Sequence, residues 1–197
     1  PTKALLKSAQ VFEYLKHAKD YGINVNEGSF DKDFPAVIKR SRDVAGTMSK
    51  GVQFLMKKNK IDVIMGYGTL KAGKKIDVKD KDGKVTEYSA DHIIIATGAR
   101  SRELPALPQD GKKIIGYRQA LTLPEQPKKM IVVGSGAIGI EFAYFYNAMG
   151  TEVTIVEFMP NIVPVEDEDI SKQLEKSLKK SGINIMTSAE VTKVDTS

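Results

Sequence analysis

The stretch MIVVGSGAIGIEF, Met130 to Phe142, decides the fold. Four apolar residues of strand length run into G-S-G-A-I-G at Gly134 to Gly139, and the residues that follow carry helical spacing. A glycine-rich string of this kind is a weak signal alone; it gains specificity from what surrounds it. The next apolar strand, Val153–Val156, ends on the acidic Glu157, 23 positions beyond Gly134. That is the strand, turn, helix, strand and carboxylate order of a dinucleotide-binding βαβ unit. Gly134 would allow the tight turn, Gly136 would let backbone approach a pyrophosphate, and Gly139 would let the helix pack closely on its strand. The pyrophosphate would rest on unpaired N–H groups at the helix start, where the dipole favours negative charge. Glu157 would accept hydrogen bonds from the adenosine ribose hydroxyls and repel a 2′-phosphate. The eight residues after it, FMPNIVPV, hold no Lys or Arg to neutralise one, so NAD is expected rather than NADP.

Outward from this motif the rhythm continues. Strand Met130–Val133, helix Ala137–Met149, strand Val153–Val156, helix Asp167–Ser181 and strand Ile183–Met186 give βαβαβ, hence a parallel sheet with right-handed crossovers. Ile138, Phe142, Phe145 and Met149 are expected as one core-facing stripe. Toward the N-terminus, Leu5, Ala9, Phe12 and Leu15 predict an amphipathic helix over residues 3–20, stopped at Gly22. A second helix is expected from Phe34 to Asn59, with Pro35 in its first turn and Val37, Val44, Met48, Val52 and Leu55 among its apolar positions. From Ile61 the period becomes two: a strand, a small antiparallel meander turning at Asp82–Gly83, then a buried strand at Ile93, Ile94 and Ile95. Ala96, Thr97 and Gly98 follow, small residues suited to a close ligand or a plain turn. A proline-marked connector with Pro105, Pro108, Pro124 and Pro127 places a domain boundary near Ile114.

Composition narrows the function. The 197 residues are 41% hydrophobic and 28% charged, within the globular range. No run approaches the 20 or so apolar residues of a membrane span, and Pro1, Thr2 and Lys3 open no signal core, so neither insertion nor export is expected. The net charge of +5 divides unevenly: residues 1–127 hold 23 Lys and Arg against 15 Asp and Glu, residues 128–197 hold 7 against 10. Lysines alternate with aspartates in KKIDVKDKDGKVTEY, only five of the first part's cations are Arg, and no aromatic stripe accompanies them. Nucleic-acid binding is not expected. The sequence has no cysteine, which excludes a disulfide, a thiolate metal site and a cysteine nucleophile within it; no metal site is expected. His17 lies between Lys16 and Lys19 and His92 beside Asp91, and each reads as solvated or structural rather than as a general base.

Five stretches give a resemblance. PTKALL (Pro1–Leu6), GYG (Gly66–Gly68), IIIATGAR (Ile93–Arg100), VVGSGAIGIEF (Val132–Phe142) and VTIVEFMPNIVP (Val153–Pro164) resemble the flavoprotein pyridine nucleotide-disulfide oxidoreductases, most closely the members that oxidise dihydrolipoamide. The resemblance runs through the whole chain and is vague between Gly22 and Asp33 and across the meander. It implies an α/β protein with two Rossmann-like dinucleotide-binding domains, both incomplete here: residues 1–114 from the FAD-binding domain, with its antiparallel β-meander, and residues 115–197 from the NAD-binding domain. It implies that Lys3, Gly68, Thr97, Gly98 and Ala99 contact FAD. Gly134, Ser135, Gly136, Ala137, Ile138, Gly139 and Glu141 would cradle NAD, with Glu157 on the ribose and Val191 near the adenine. Glu141 would lie near the flavin and could pair with Lys3; a plain helix-surface carboxylate is the alternative.

By the family pattern, a G-x-G-x-x-G strand for FAD and a C-x-x-x-x-C redox pair precede these residues. The last strands of the NAD domain and an interface domain with a catalytic His and Glu follow them, so the sequence reads as a middle piece, inactive alone and without catalytic residues of its own. The activity implied for the complete protein is reoxidation of protein-bound dihydrolipoamide through a redox disulfide and FAD, with reduction of NAD. Implied partners are the lipoyl domains of 2-oxoacid dehydrogenase or glycine cleavage complexes and a second copy in a homodimer. The implied compartment is the bacterial cytoplasm or the mitochondrial matrix. Another flavin disulfide reductase or a transhydrogenase, and a non-catalytic nucleotide-binding module, remain as alternatives.

Overall fold

Apolar residues at helical spacing fold the first residues into α1 (Thr2–Lys16), which buries Leu5 and Ala9. The expected single helix over 3–20 breaks at His17. Its backbone N–H and its ring Nδ1 both sit on the Glu13 carbonyl, at 3.1 and 2.9 Å, and a 3₁₀ turn (Ala18–Tyr21) continues to a left-handed Gly22. Helix α2 (Phe34–Lys58) matches its expected bounds closely. Asp33 caps it by accepting the Ala36 N–H at 2.9 Å, and Pro35 stands in the first turn, where no N–H is needed.

The computed structural model describes every residue except Glu27, Ala106 and Ser197. They form two compact units, one of Pro1–Gly46 with Ser101–Ser197 and one of Thr47–Arg100. This division differs from the boundary expected near Ile114. The N-terminal helices pack with the C-terminal half: Leu5, Ala9, Phe34 and Ile38 share one core with Phe142, Phe145 and Tyr146.

In the unit of Thr47–Arg100, β1 (Tyr67–Lys71), β2 (Lys75–Lys79) and β3 (Val85–Ser89) form the antiparallel meander in the order β1-β2-β3. Tyr67 pairs with Lys79, and Lys79 with Val85. The Asp82–Gly83 turn is present: the Asp80 carboxylate accepts the N–H groups of Asp82 and Lys84, both at 2.9 Å, and Gly83 takes φ +86°. Two expectations fail. Residues 61–66 form no strand, and neither do Ile93, Ile94 and Ile95, of which Ile94 is 90% exposed and Ile95 69% exposed. Their composition suits a strand buried on both faces, but a strand exists only against a hydrogen-bonding neighbour, and none of the described residues supplies one.

In the other unit, the short α3 (Tyr117–Ala120) leads to β4 (Lys129–Val133), α4 (Ala137–Ala148), β5 (Glu152–Val156), α5 (Glu168–Lys180) and β6 (Asn184–Met186). All three strands are parallel, in the order β4-β5-β6, as βαβαβ requires. Helix α5 begins on Asp167, whose carboxylate accepts the N–H groups of Asp169 and Ile170. Val153 and Ile155 of β5 are fully buried. β4 departs from the expected buried strand: Met130 and Val132 face the core, while Ile131 and Val133 are exposed. The buried Tyr146 hydroxyl donates to the Ala120 carbonyl at 2.6 Å. Burial pushes its pKa well above the usual phenol range, so it stays a donor.

Candidate functional site

The glycine turn closes β4 onto α4. Gly134 takes φ +98°, which a side-chain-bearing residue adopts only with strain, and its N–H donates to the Val156 carbonyl at 2.9 Å, carrying the β4–β5 ladder one step past the strand. Gly139 answers a different need. A Cβ there would collide with the Gly134 carbonyl oxygen and lie 3.2 Å from Val132 Cγ1, so only glycine lets α4 sit this close to β4.

Helix α4 starts at Gly136 with no side chain capping it. Its first intrahelical bond runs from the Ile140 N–H to the Gly136 carbonyl at 3.0 Å, so the N–H groups of Ala137, Ile138 and Gly139 have no partner within the helix. Nothing lies within 4 Å of where a Cβ on Gly134 or Gly136 would be. Unpaired donors, the positive end of a helix dipole and open space together suit a pyrophosphate. Ile138, expected in the core stripe, is instead 62% exposed, because it stands in this first turn beyond the sheet end; Phe142, Phe145 and Met149 are buried as expected.

Glu157 follows β5 directly and is only 7% exposed. Its Oε2 accepts the Ser135 N–H at 2.8 Å and the Ser135 hydroxyl at 2.6 Å, and its Oε1 accepts the Met159 N–H at 2.8 Å. Burial pushes the carboxyl pKa up, but the donors at Met159, Ser135 and Phe158 outweigh it and hold the group below the usual carboxylate range. The acidic residue is thus ionised and tied to the glycine turn. Beyond it, Ser188 and Ala189 donate to the Met159 and Glu157 carbonyls, each at 3.0 Å, and the half-buried Val191 lies two residues further on.

The remaining sequence-predicted residues fall into two groups. Lys3 of α1 and Glu141 of α4 form an ion pair, although Lys3 is 82% exposed and such a pair contributes little stability. Gly68 lies in β1 opposite Val78, while Thr97, Gly98 and Ala99 lie outside regular structure, all in the unit of Thr47–Arg100. His17 and His92 are both exposed. What the sequence reading missed is that the Ser135 side chain faces inward, and that Val163 of the loop after β5 donates to it at 3.2 Å. The spacing between Ser135 and Glu157 was visible, but no local pattern marks Val163.

The sequence matches the family described as Pyridine nucleotide-disulphide oxidoreductase over residues 1–197. It is 50% identical to the dihydrolipoyl dehydrogenase of Rhizobium etli, over 99% of this chain and 43% of that protein. It is 38% identical to the mitochondrial dihydrolipoyl dehydrogenase 1 of Arabidopsis thaliana, over 100% of this chain and 39% of that protein. Among solved structures it superposes on LpdA of Mycobacterium tuberculosis with a TM-score of 0.88 at 29% identity, covering 100% of this chain and 43% of that one. The chain therefore spans about two-fifths of the length of the curated relatives it matches. With the family matched from end to end and the glycine turn, its helix and its carboxylate in place, the chain belongs to the pyridine nucleotide-disulphide oxidoreductases.

Proposed function

We propose that these residues are part of an FAD-dependent, NAD-linked dihydrolipoamide dehydrogenase, with residues 1–114 contributing to its FAD-binding domain and residues 115–197 to its NAD-binding domain. The observation that carries the reading is the uncapped start of α4 behind the Gly134 turn, beside an ionised Glu157. In this reading the N–H groups of Ala137, Ile138 and Gly139 receive the NAD pyrophosphate. Glu157 faces the adenosine ribose and disfavours a 2′-phosphate, and Val191 borders the adenine. Lys3, Gly68, Thr97, Gly98 and Ala99 serve the FAD site, with Glu141 paired to Lys3. When bound, the flavin and nicotinamide supply the electron-pair and hydride chemistry, and the chain binds and orients them. The dithiol–disulfide exchange with lipoamide needs cysteines, of which these 197 residues have none.

The proposed partners are the lipoyl domains of 2-oxoacid dehydrogenase or glycine cleavage complexes and a second copy of the protein. The proposed setting is the bacterial cytoplasm or the mitochondrial matrix, in line with the bacterial and mitochondrial relatives. Anaerobic titration of the full-length flavoprotein tests the reading: NADH should bleach the flavin well ahead of NADPH, and dihydrolipoamide should reduce NAD in steady state. Preference for NADPH, or no turnover with dihydrolipoamide, would overturn it. One relative, a leghemoglobin reductase of Vigna unguiculata at 37% identity, makes leghemoglobin the acceptor to include as a control.

A further inference from the structure

Ser135 is fully buried, and a buried hydroxyl destabilises the fold unless its hydrogen bonds are made. Both of its capacities are used. The hydroxyl donates to Glu157 Oε2 at 2.6 Å and accepts the Val163 N–H at 3.2 Å. The direction is fixed, because a peptide N–H only donates and an ionised carboxylate only accepts. Three separate segments, the glycine turn, the end of β5 and the loop after it, therefore meet at one oxygen.

The third segment is strained. Val163 takes φ +41°, a left-handed conformation rare for a β-branched residue, and Pro164 follows it. Such backbone persists only where its surroundings fix it. Here the Val163 N–H is shared between the carbonyl and the hydroxyl of Ser135, both at 3.2 Å, while the Ile162 and Val163 side chains are buried.

Building on the dinucleotide reading above, we propose that the Ser135 hydroxyl is a positioning residue for cofactor selection: it holds the Glu157 carboxylate in one orientation and docks the strained Val163 turn beside it. A carboxylate held in a partly buried place repels a second anion more strongly than one free to swing into water. Without the hydroxyl, Glu157 loses its shortest hydrogen bond, and the Val163 N–H keeps only the carbonyl. NAD and NADP differ only at the group this charge opposes, so the loss should appear as weakened discrimination.

The test compares wild type with Ser135→Ala and Ser135→Thr in the full-length, flavin-loaded protein. Calorimetric titration with NAD and with NADP, which have no hydride to give the oxidised flavin, reads binding alone. For Ser135→Ala the ratio of NAD to NADP affinity should fall about tenfold, the effect of one hydrogen bond to a charged group. Ser135→Thr, which keeps the hydroxyl, should recover most of that ratio. A carbon-13 titration of the Glu157 carboxyl should show its midpoint higher in Ser135→Ala than in wild type, a shift that a purely packing role would not produce. An unchanged affinity ratio together with an unchanged Glu157 midpoint overturns the proposal. If Ser135→Ala does not fold, Ser135→Cys, a weaker donor of similar size, must lower the ratio in the same direction, and an unchanged ratio there overturns it equally. A wild-type protein that prefers NADPH would instead overturn the dinucleotide reading itself, and this proposal with it.

Discussion

The meander β1-β2-β3 and the parallel sheet β4-β5-β6 each have three strands, and they are held together by different forces. In the parallel sheet the middle strand is the core: Val153 and Ile155 are fully buried, and α4 brings Phe142, Phe145 and Tyr146 into the same cluster. In the meander, β1 and β3 are exposed along their whole length, and only Ile76, Asp77 and Val78 of β2 are half-buried. What defines the meander is its register, the Asp80 turn and cross-strand pairs such as Lys75 with Glu87 at 2.7 Å. Residues close in sequence can fix a register; a parallel sheet has to be assembled through its crossover helices.

The sharpest way to break this contrast is to hollow the buried strand. Ile155→Ala should cost about 2–5 kcal/mol by urea denaturation of the full-length protein, through lost transfer energy and the cavity left behind. Next, Gly139→Ala forces α4 away from the Gly134 carbonyl and should cost about 1–3 kcal/mol while abolishing NAD binding, read by calorimetry. A variant that melts as wild type would show that the close approach is slack.

The third test sharpens the contrast electrostatically. The folded pKa of Glu157 lies below its ordinary value of 4.5, so its contribution to stability is present above that value and is lost as pH falls through the lower folded value. The difference in stability between wild type and Glu157→Gln should therefore be about 1.5–3 kcal/mol at pH 7 and shrink below about pH 4.5. A difference that stays constant into acid would mean the carboxylate is not what the Ser135 and Met159 donors hold. The smallest effect belongs to the meander: Leu70→Ala, at an exposed site of β1, should change stability by less than about 0.5 kcal/mol. A cost equal to that of Ile155→Ala would remove the contrast altogether.

The same contrast explains what could be read beforehand. From β4 to β6 the expected bounds hold to within a residue or two, because each depends on neighbours in sequence: the Gly134 turn, the Asp167 cap, the stop at Gly182. The apolar runs at 61–66 and 93–95 misled for the opposite reason. Ile94 and Ile95 have strand composition, but strand formation depends on a partner that no local pattern reveals. At the candidate site, Gly134, Gly139 and Glu157 were legible from spacing. The inward turn of the Ser135 hydroxyl and the left-handed Val163 were not, since both follow from a meeting of segments more than 20 residues apart. Ile138 misled because helical periodicity gives a residue's direction around the axis but not whether the helix still faces the sheet at that level.

The docking of α1 on α4 also sets a timetable. Lys16 donates to the Ala148 carbonyl across 132 residues of chain, and the buried Leu5 and Ala9 share their core with Phe34 and Ile38 but also with the far later Phe142, Phe145 and Tyr146. At about 5–20 residues per second, a ribosome needs roughly 7–26 s to supply what α1 must pack against. During that interval the apolar side of α1 stays open to chaperones and proteases, so nascent chains arrested before Ala148 should be cleaved within α1, whereas released, folded protein resists.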